Sequence, residues 1–412
     1  MKPDQPRRTG AVRDSYVLAV GSLVSGLAAY AFIAIGTRTV GSESFASVSV
    51  LWTLWAMSAA VFTFPVQHWV IRTIEADSGE GRVRSALPTL LTASLVVSLV
   101  LGTVSWVMRA ALFGDEGVIF PVLAGMVPFG TVFMGINRGV LSARLRFRST
   151  ASAIAGENLI RAAAALVVTT ATGLGLALIA GFAVGLFWPS SLRLGTSGKP
   201  LIETSPLAFL GGVAGGSLIG QVVLTSGPLV LALIGGSPIQ ITGLFSALAL
   251  FRAPYMIAIG VTPRMTGWLT RIVLDSGHTA IRRITYRTLL ICLGLAVIAA
   301  ALGATIGPAV LTLVFGPEVV LSSMTTAIVA AGSAIAIGTL FLTLLMLAAA
   351  RTGLITTAWG GAAVVGVLLV LTGVGSPVNT VALGFLGAEA FALGAISIAA
   401  VRRHSPPRPV SP

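Results

Sequence analysis

Four ionisable side chains fall inside apolar stretches of this 412-residue sequence: Glu157, Arg161, Arg252 and Glu389. A charge in hydrocarbon is costly, so such residues default to function. Glu157 and Arg161 are four apart, on one helix face and able to pair. The pair reads either as a neutralised structural ion pair or as part of a site. Arg252 has no acid within reach on its own helix. Its planar guanidinium suits bidentate contact with phosphate oxygens; the alternative is a snorkelling or carbonyl-bonded structural arginine. Glu389 stands alone on a Gly/Ala-rich segment, where it either carries a coupling ion, proton or sodium, or serves as a hydrogen-bonded structural carboxyl. Asn158 and Gln221 suit hydrogen bonding in a polar cavity. There is no Gly-x-x-x-x-Gly-Lys-Ser/Thr phosphate loop, no metal-ligand spacing and no Ser/His/Asp set, so no catalytic residue, metal or cofactor is expected.

These residues need elements to hold them, and composition says what those are. Hydrophobic residues make up 55% of the chain and charged residues 9%, against about 25% charged in a soluble protein. A soluble enzyme, a disordered chain and a disulfide scaffold (Cys292 is the only cysteine) are excluded. A helix across the hydrocarbon core takes about 20 apolar residues, and the apolar windows give twelve spans. The run from Tyr16 to Ile35 exceeds a signal-peptide core and is expected to be the first of them.

Lys and Arg number 26 against 13 Asp and Glu, a net charge of +13. Nucleic acid is not needed to explain the excess. With the N-terminus in the cytoplasm, 22 of the 26 fall on the inside, Arg38 and Arg109 fall outside, and Arg161 and Arg252 lie within spans. That is the asymmetry of a multi-pass protein with both termini cytoplasmic. The scarcity of lysine (Lys2 and Lys199 only) beside the Ala/Gly/Val bias suggests a bacterial, GC-rich source, hence the bacterial cell membrane.

The chain also repeats itself. Leu112-Phe113-Gly114-Asp115-Glu116 recurs as Val314-Phe315-Gly316-Pro317-Glu318, an offset of 202. Gly41 with Phe45-Ala46-Ser47 recurs near an offset of 200 as Gly243 with Phe245-Ser246-Ala247. Two six-span halves in the same membrane sense are parallel repeats. The expected fold is all-α: about twelve transmembrane helices in two six-helix bundles related by a parallel pseudo-two-fold, around a central cavity. The divisions are a basic tail 1–14, a first bundle 15–189, a cytoplasmic linker 190–205, a second bundle 206–401 and a tail 402–412. Gly227-Pro228 should break the seventh span, and Pro65, Pro128 and Pro254 should kink others. Residues 264–287, with Trp268 among arginines, read as an amphipathic interfacial helix on the anionic inner leaflet.

The turn Thr37 to Phe45, the turn Val314 to Glu318, the stretch Gly243–Ala247 with Arg252 and Pro254, the Thr262-Pro263-Arg264 ending and the Gly135–Arg161 region together resemble the polysaccharide transport family, the lipid-linked oligosaccharide flippases. That family belongs to the multidrug/oligosaccharidyl-lipid/polysaccharide flippase superfamily. Ser42, Ser44, Ala46 and Val319 depart from the usual residues of its turns. The resemblance implies alternating access and a cavity-facing arginine at Arg252, with Arg161 a weaker second contact for a diphosphate.

The expectation is therefore a secondary transporter that flips a polyprenyl-diphosphate-linked sugar or oligosaccharide to the outer leaflet. Its partners would be that substrate, membrane lipids, and a polysaccharide polymerase and glycosyltransferases. The alternatives are a cation-coupled multidrug exporter of the same superfamily and, ranked lower, a membrane glycosyltransferase or polymerase, since the outer loops are short. A non-transporting scaffold of a polysaccharide assembly complex also stays open.

Overall fold

A computed structural model describes residues 8–77, 80–114, 118–196, 215–349 and 351–402. Most of the two terminal tails, Asp115 and Glu116, linker residues 197–205 and the first turns of the seventh span lie outside these. The described chain is helical. In the first half the α-helices are α1 (Arg8–Ser58), α2 (Phe64–Asp77), α3 (Gly81–Val107), α4 (Arg109–Phe113), α5 (Ile119–Ala143), α6 (Phe147–Ala165) and α7 (Ala171–Ala180). The second half has α8 (Gly215–Thr225), α9 (Gly227–Leu233), α10 (Pro238–Phe251), α11 (Ala253–Thr305), α12 (Gly307–Phe315), α13 (Ser323–Ala348), α14 (Thr352–Leu371) and α15 (Pro377–Val401).

Breaks fall where the backbone cannot continue. α1 holds two spans joined at Gly41, whose φ of 79° is left-handed and favours glycine. The second span widens into a π-turn at Ala59–Thr63, beside Pro65, which lacks the N–H that the Val61 carbonyl would take. Ser226 separates α8 from α9 at Gly227-Pro228, as expected. Arg252 separates α10 from α11 just before Pro254. Pro128, by contrast, sits inside an unbroken α5. Residues 264–287 are not a separate interfacial helix: α11 runs through them without interruption, with Trp268 exposed and Leu269 in the core.

Among the described residues seven helices are long and apolar enough to cross a membrane, one of them the double-length Tyr16–Glu75. α6 is not among them, because Glu157, Asn158 and Arg161 dilute its apolar face. The repeat is visible in the element order. The short helices α4 and α12 end on Gly114 and Gly316, both at positive φ and 202 residues apart. α13, α14 and α15 then begin 204, 205 and 206 residues after α5, α6 and α7.

Among the described residues the two halves share one core only at the Gly41 end, the end expected outside from the arginine distribution and labelled outer accordingly. There Phe32, Phe45 and Trp52 of the first half and Leu244, Phe245 and Phe315 of the second belong to one buried cluster. At the other end each half keeps its own. Val66, Trp69, Ile136 and Leu194 pack together in the first; Leu269, Ile281, Leu345 and Leu393 pack in the second. Phe45 and Phe245, matched in the repeat, meet with ring centroids 6.3 Å apart. Equivalent residues can touch only near the axis that relates them, so these two rings mark it. Lipid tails are as apolar as these side chains, so close packing rather than exclusion of water holds the halves together.

Candidate functional site between the two halves

The first half carries a buried charge network rather than a simple pair. Glu157 accepts from Arg161 Nη2 at 2.7 Å and also from Arg138 Nη2. The sequence places Arg138 at the end of a span, among the inside-loop cations; the structure corrects this. α5 continues to Ala143, so Arg138 is inside the helix and 9% exposed. Its apolar successors Val140 and Leu141 were the signal that the span runs further.

Arg161 is fully enclosed. Nη1 donates to Asn158 Oδ1 and Nε to the Leu178 carbonyl, both at 2.9 Å. Its guanidinium lies 4.4 Å from the Trp55 ring centroid and 5.7 Å from those of Trp52 and Phe182, where cation–π attraction adds to the pairing. Asn158 Nδ2 in turn donates to Ser25 Oγ at 2.8 Å. The sixth span pays for this insertion in regularity: it tightens to a 3₁₀ helix at Gly181–Phe187 instead of staying α. A Cβ on Gly181 would stand 2.6 Å from Arg161 Nε. Arg161 and Asn158 thus face their own bundle, with their polar groups taken.

The second half is arranged differently. Arg252 lies over Phe385 at 4.9 Å from the ring centroid, and its Nε and Nη2 have no hydrogen-bond partner among the described residues. Glu389, one turn along α15 from Phe385, is 1% exposed and acts electrostatically on Arg252. Both carboxyl oxygens of Glu389 lack a well-formed partner. The neighbouring Thr339 hydroxyl gives its proton to the Ile335 carbonyl at 3.1 Å. Glu389 lines a cavity of about 60 Å³ with Gln221, Tyr255, Thr343 and Trp359, room for a few waters. Gln221 Nε2 donates to the Tyr255 hydroxyl at 3.2 Å. No hydrogen bond or ion pair among the described residues joins this set to the Glu157 network, and none holds three potential metal ligands together.

The outer end is tied across the halves by residues of the two turns and of α10. Arg38 donates to the carbonyls of Val314, at 3.1 Å, and Leu313. Glu318 accepts from the Ser42 amide at 2.8 Å, and Thr242 donates to the Ser42 carbonyl at 2.6 Å.

A second tie closes the inner end of the first bundle. Arg144 grips Glu80 with Nε at 2.6 Å and Nη2 at 2.8 Å and donates to the Arg193 carbonyl, while the Gly195 amide donates to Glu80. The hydrogen bond from Arg144 holds the Glu80 carboxyl below its ordinary value. The stabilisation is therefore present above the ordinary carboxylate range near 4.5 and lost as pH falls through the depressed value. Protection of the Gly195 amide from hydrogen exchange is expected to disappear over that acid window, and at neutral pH in Glu80→Gln. Protection that outlasts both would mean that Glu80 does not hold the start of the linker.

No family model matches the chain, and no curated protein sequence matches it. Solved structures do. The MurJ lipid II flippase in an inward closed conformation matches with TM-score 0.67 at 12% identity, over 93% of this chain and 87% of that one. An inward-facing multidrug resistance MATE transporter of the MOP superfamily gives 0.64 at 14%, over 92% and 93%. This chain has the fold that these two structures share. An outward-facing MATE structure gives 0.57 at 15%, over 95% and 94%. Both inward structures score higher than this outward one.

Proposed function

We propose that the protein is a secondary transporter that moves an anionic lipid-linked cargo, a polyprenyl-diphosphate sugar or oligosaccharide, from the inner to the outer leaflet of a bacterial cell membrane. The observation that carries this is the charge inventory inside the bundles. Among the described residues three arginines (138, 161 and 252) face two acids (157 and 389); Arg138 and Arg161 are ion-paired to Glu157, whereas Arg252 has no ion pair and leaves both Nε and Nη2 without a hydrogen-bond partner. A site with surplus cation attracts a diphosphate and repels a cationic drug. The sugar and diphosphate need a polar path across about 30 Å of hydrocarbon, and the divided inner cores leave the halves separable on the side where cargo would enter. Both termini would be cytoplasmic.

Glu389 is the coupling acid in this reading, its cavity holding the proton or sodium ion. The same residue favours the rival reading, export of drug-like cations, so one assay addresses both. In vesicles containing the purified protein, a fluorescent undecaprenyl-diphosphate sugar should reach the far leaflet faster than in protein-free vesicles, and a quaternary ammonium dye should not move. Glu389→Gln should flatten the dependence of that rate on pH or sodium. Dye transport without lipid transport would replace the proposal by its rival, and an unaltered ion dependence would make Glu389 structural.

A further inference from the structure

The break at Arg252 leaves a debt in the backbone of α10. In an α-helix the carbonyl of residue i is satisfied by the N–H of residue i+4. For Leu250 that residue is Pro254, which has none. An unpartnered carbonyl in a membrane interior is expensive. A donor is nevertheless present, and it comes from the other half of the chain. The Tyr30 hydroxyl, on the first span, donates to the Ala249 carbonyl and stands 3.4 Å from that of Leu250. These are carbonyls of the turn that ends at Arg252, and the Tyr30 ring packs on the core shared by both halves.

We infer that Tyr30 is a positioning residue whose hydroxyl caps the carbonyl end of α10, chiefly at Ala249, where the break before Pro254 leaves it without helical donors, and that it can do so only while the halves are closed at the outer end. Tyr30 thereby links two things that are otherwise 200 residues apart: closure of the outer gate and the shape of the turn that presents Arg252. When the outer end opens, the hydroxyl leaves, the turn is free to rearrange, and the Arg252 fork changes its aim. The consequence for cargo rests on the diphosphate reading given above; the latch itself does not.

The test needs no cargo, so the latch and the proposed function can fail separately. Spin labels at Glu43→Cys and Ile239→Cys, exposed positions beside the outer contacts, report the gap between halves in the full-length protein, in lipid nanodiscs and with Cys292→Ala as background. Tyr30→Phe removes only the hydroxyl and should raise the open-to-closed ratio about fivefold, the factor that one net hydrogen bond supplies. Pro254→Ala restores the helical donor, so in that background Tyr30→Phe should leave the ratio within about 1.5-fold, a coupling that unrelated sites would not show. No shift with Pro254 present, or an equal shift in both backgrounds, would overturn the inference.

Discussion

An Arg252→Ala chain is expected to lose about a hundredfold or more in flipping rate while its thermal stability stays level or rises. The two effects have opposite causes. A guanidinium–phosphate contact is charge-assisted and two-pronged, and a hydrogen bond to a charged group contributes roughly 1.5–3 kcal/mol, so a lost fork amounts to two or more powers of ten. In the unloaded protein the same group is a burden, because Nε and Nη2 are buried without partners and desolvated charge is costly unless paired. Alanine relieves that burden. Arg252→Lys should keep the charge but not the fork, and recover only part of the rate. Flipping in vesicles, with thermal denaturation on the same preparation, reads both effects. Undiminished flipping would remove Arg252 from the site, and a sharp loss of stability would make it a structural arginine.

The sequence ranks Arg252 ahead of Arg161 only through the family resemblance; the residues themselves do not show why the two differ. Both lie in apolar spans, and the visible difference, an acid four residues from Arg161 and none near Arg252, shows only half of it. What settles Arg161 is tertiary. Trp52 and Trp55 come from the second span and the Leu178 carbonyl from the sixth, and periodicity within α6 predicts none of them. Arg138 was hidden by a boundary: one residue beyond the end assigned to the span, it counted as a topological charge. Tyr30 was hidden by distance, since its partners are 219 and 220 residues away.

The architecture was legible for the opposite reason. Spans follow from long apolar runs, which need no partner to be recognised. The repeat follows from glycines at positions where the backbone demands them, as at Gly114 and Gly316. Even the axis was implicit in the 200-residue offset between Phe45 and Phe245. Which matched residues meet, however, depends on how the halves close, and closure is a property of packing.

Glu157 provides the sharpest test of how the first bundle is held. Among the described residues it is the only acid in its network, and it serves two guanidinium groups. Glu157→Gln would strand two cations inside the bundle, and removing one partner of a buried ion pair typically costs 3–5 kcal/mol. The expected result is a protein that inserts poorly or denatures far below the parent. Arg161→Met should be milder despite the loss of its aromatic contacts, because Arg138 and Glu157 remain as a matched pair and a flexible apolar chain can occupy the space between Trp55 and Phe182. Adding Arg161→Met to Glu157→Gln should recover part of the lost stability, since one stranded charge is removed with it. The order of the three denaturation temperatures decides the matter. If Arg161→Met is the most damaging, the network exists to seat that arginine; if Glu157→Gln is, the carboxylate is its keystone and the surplus positive charge is tolerated only because Glu157 is shared.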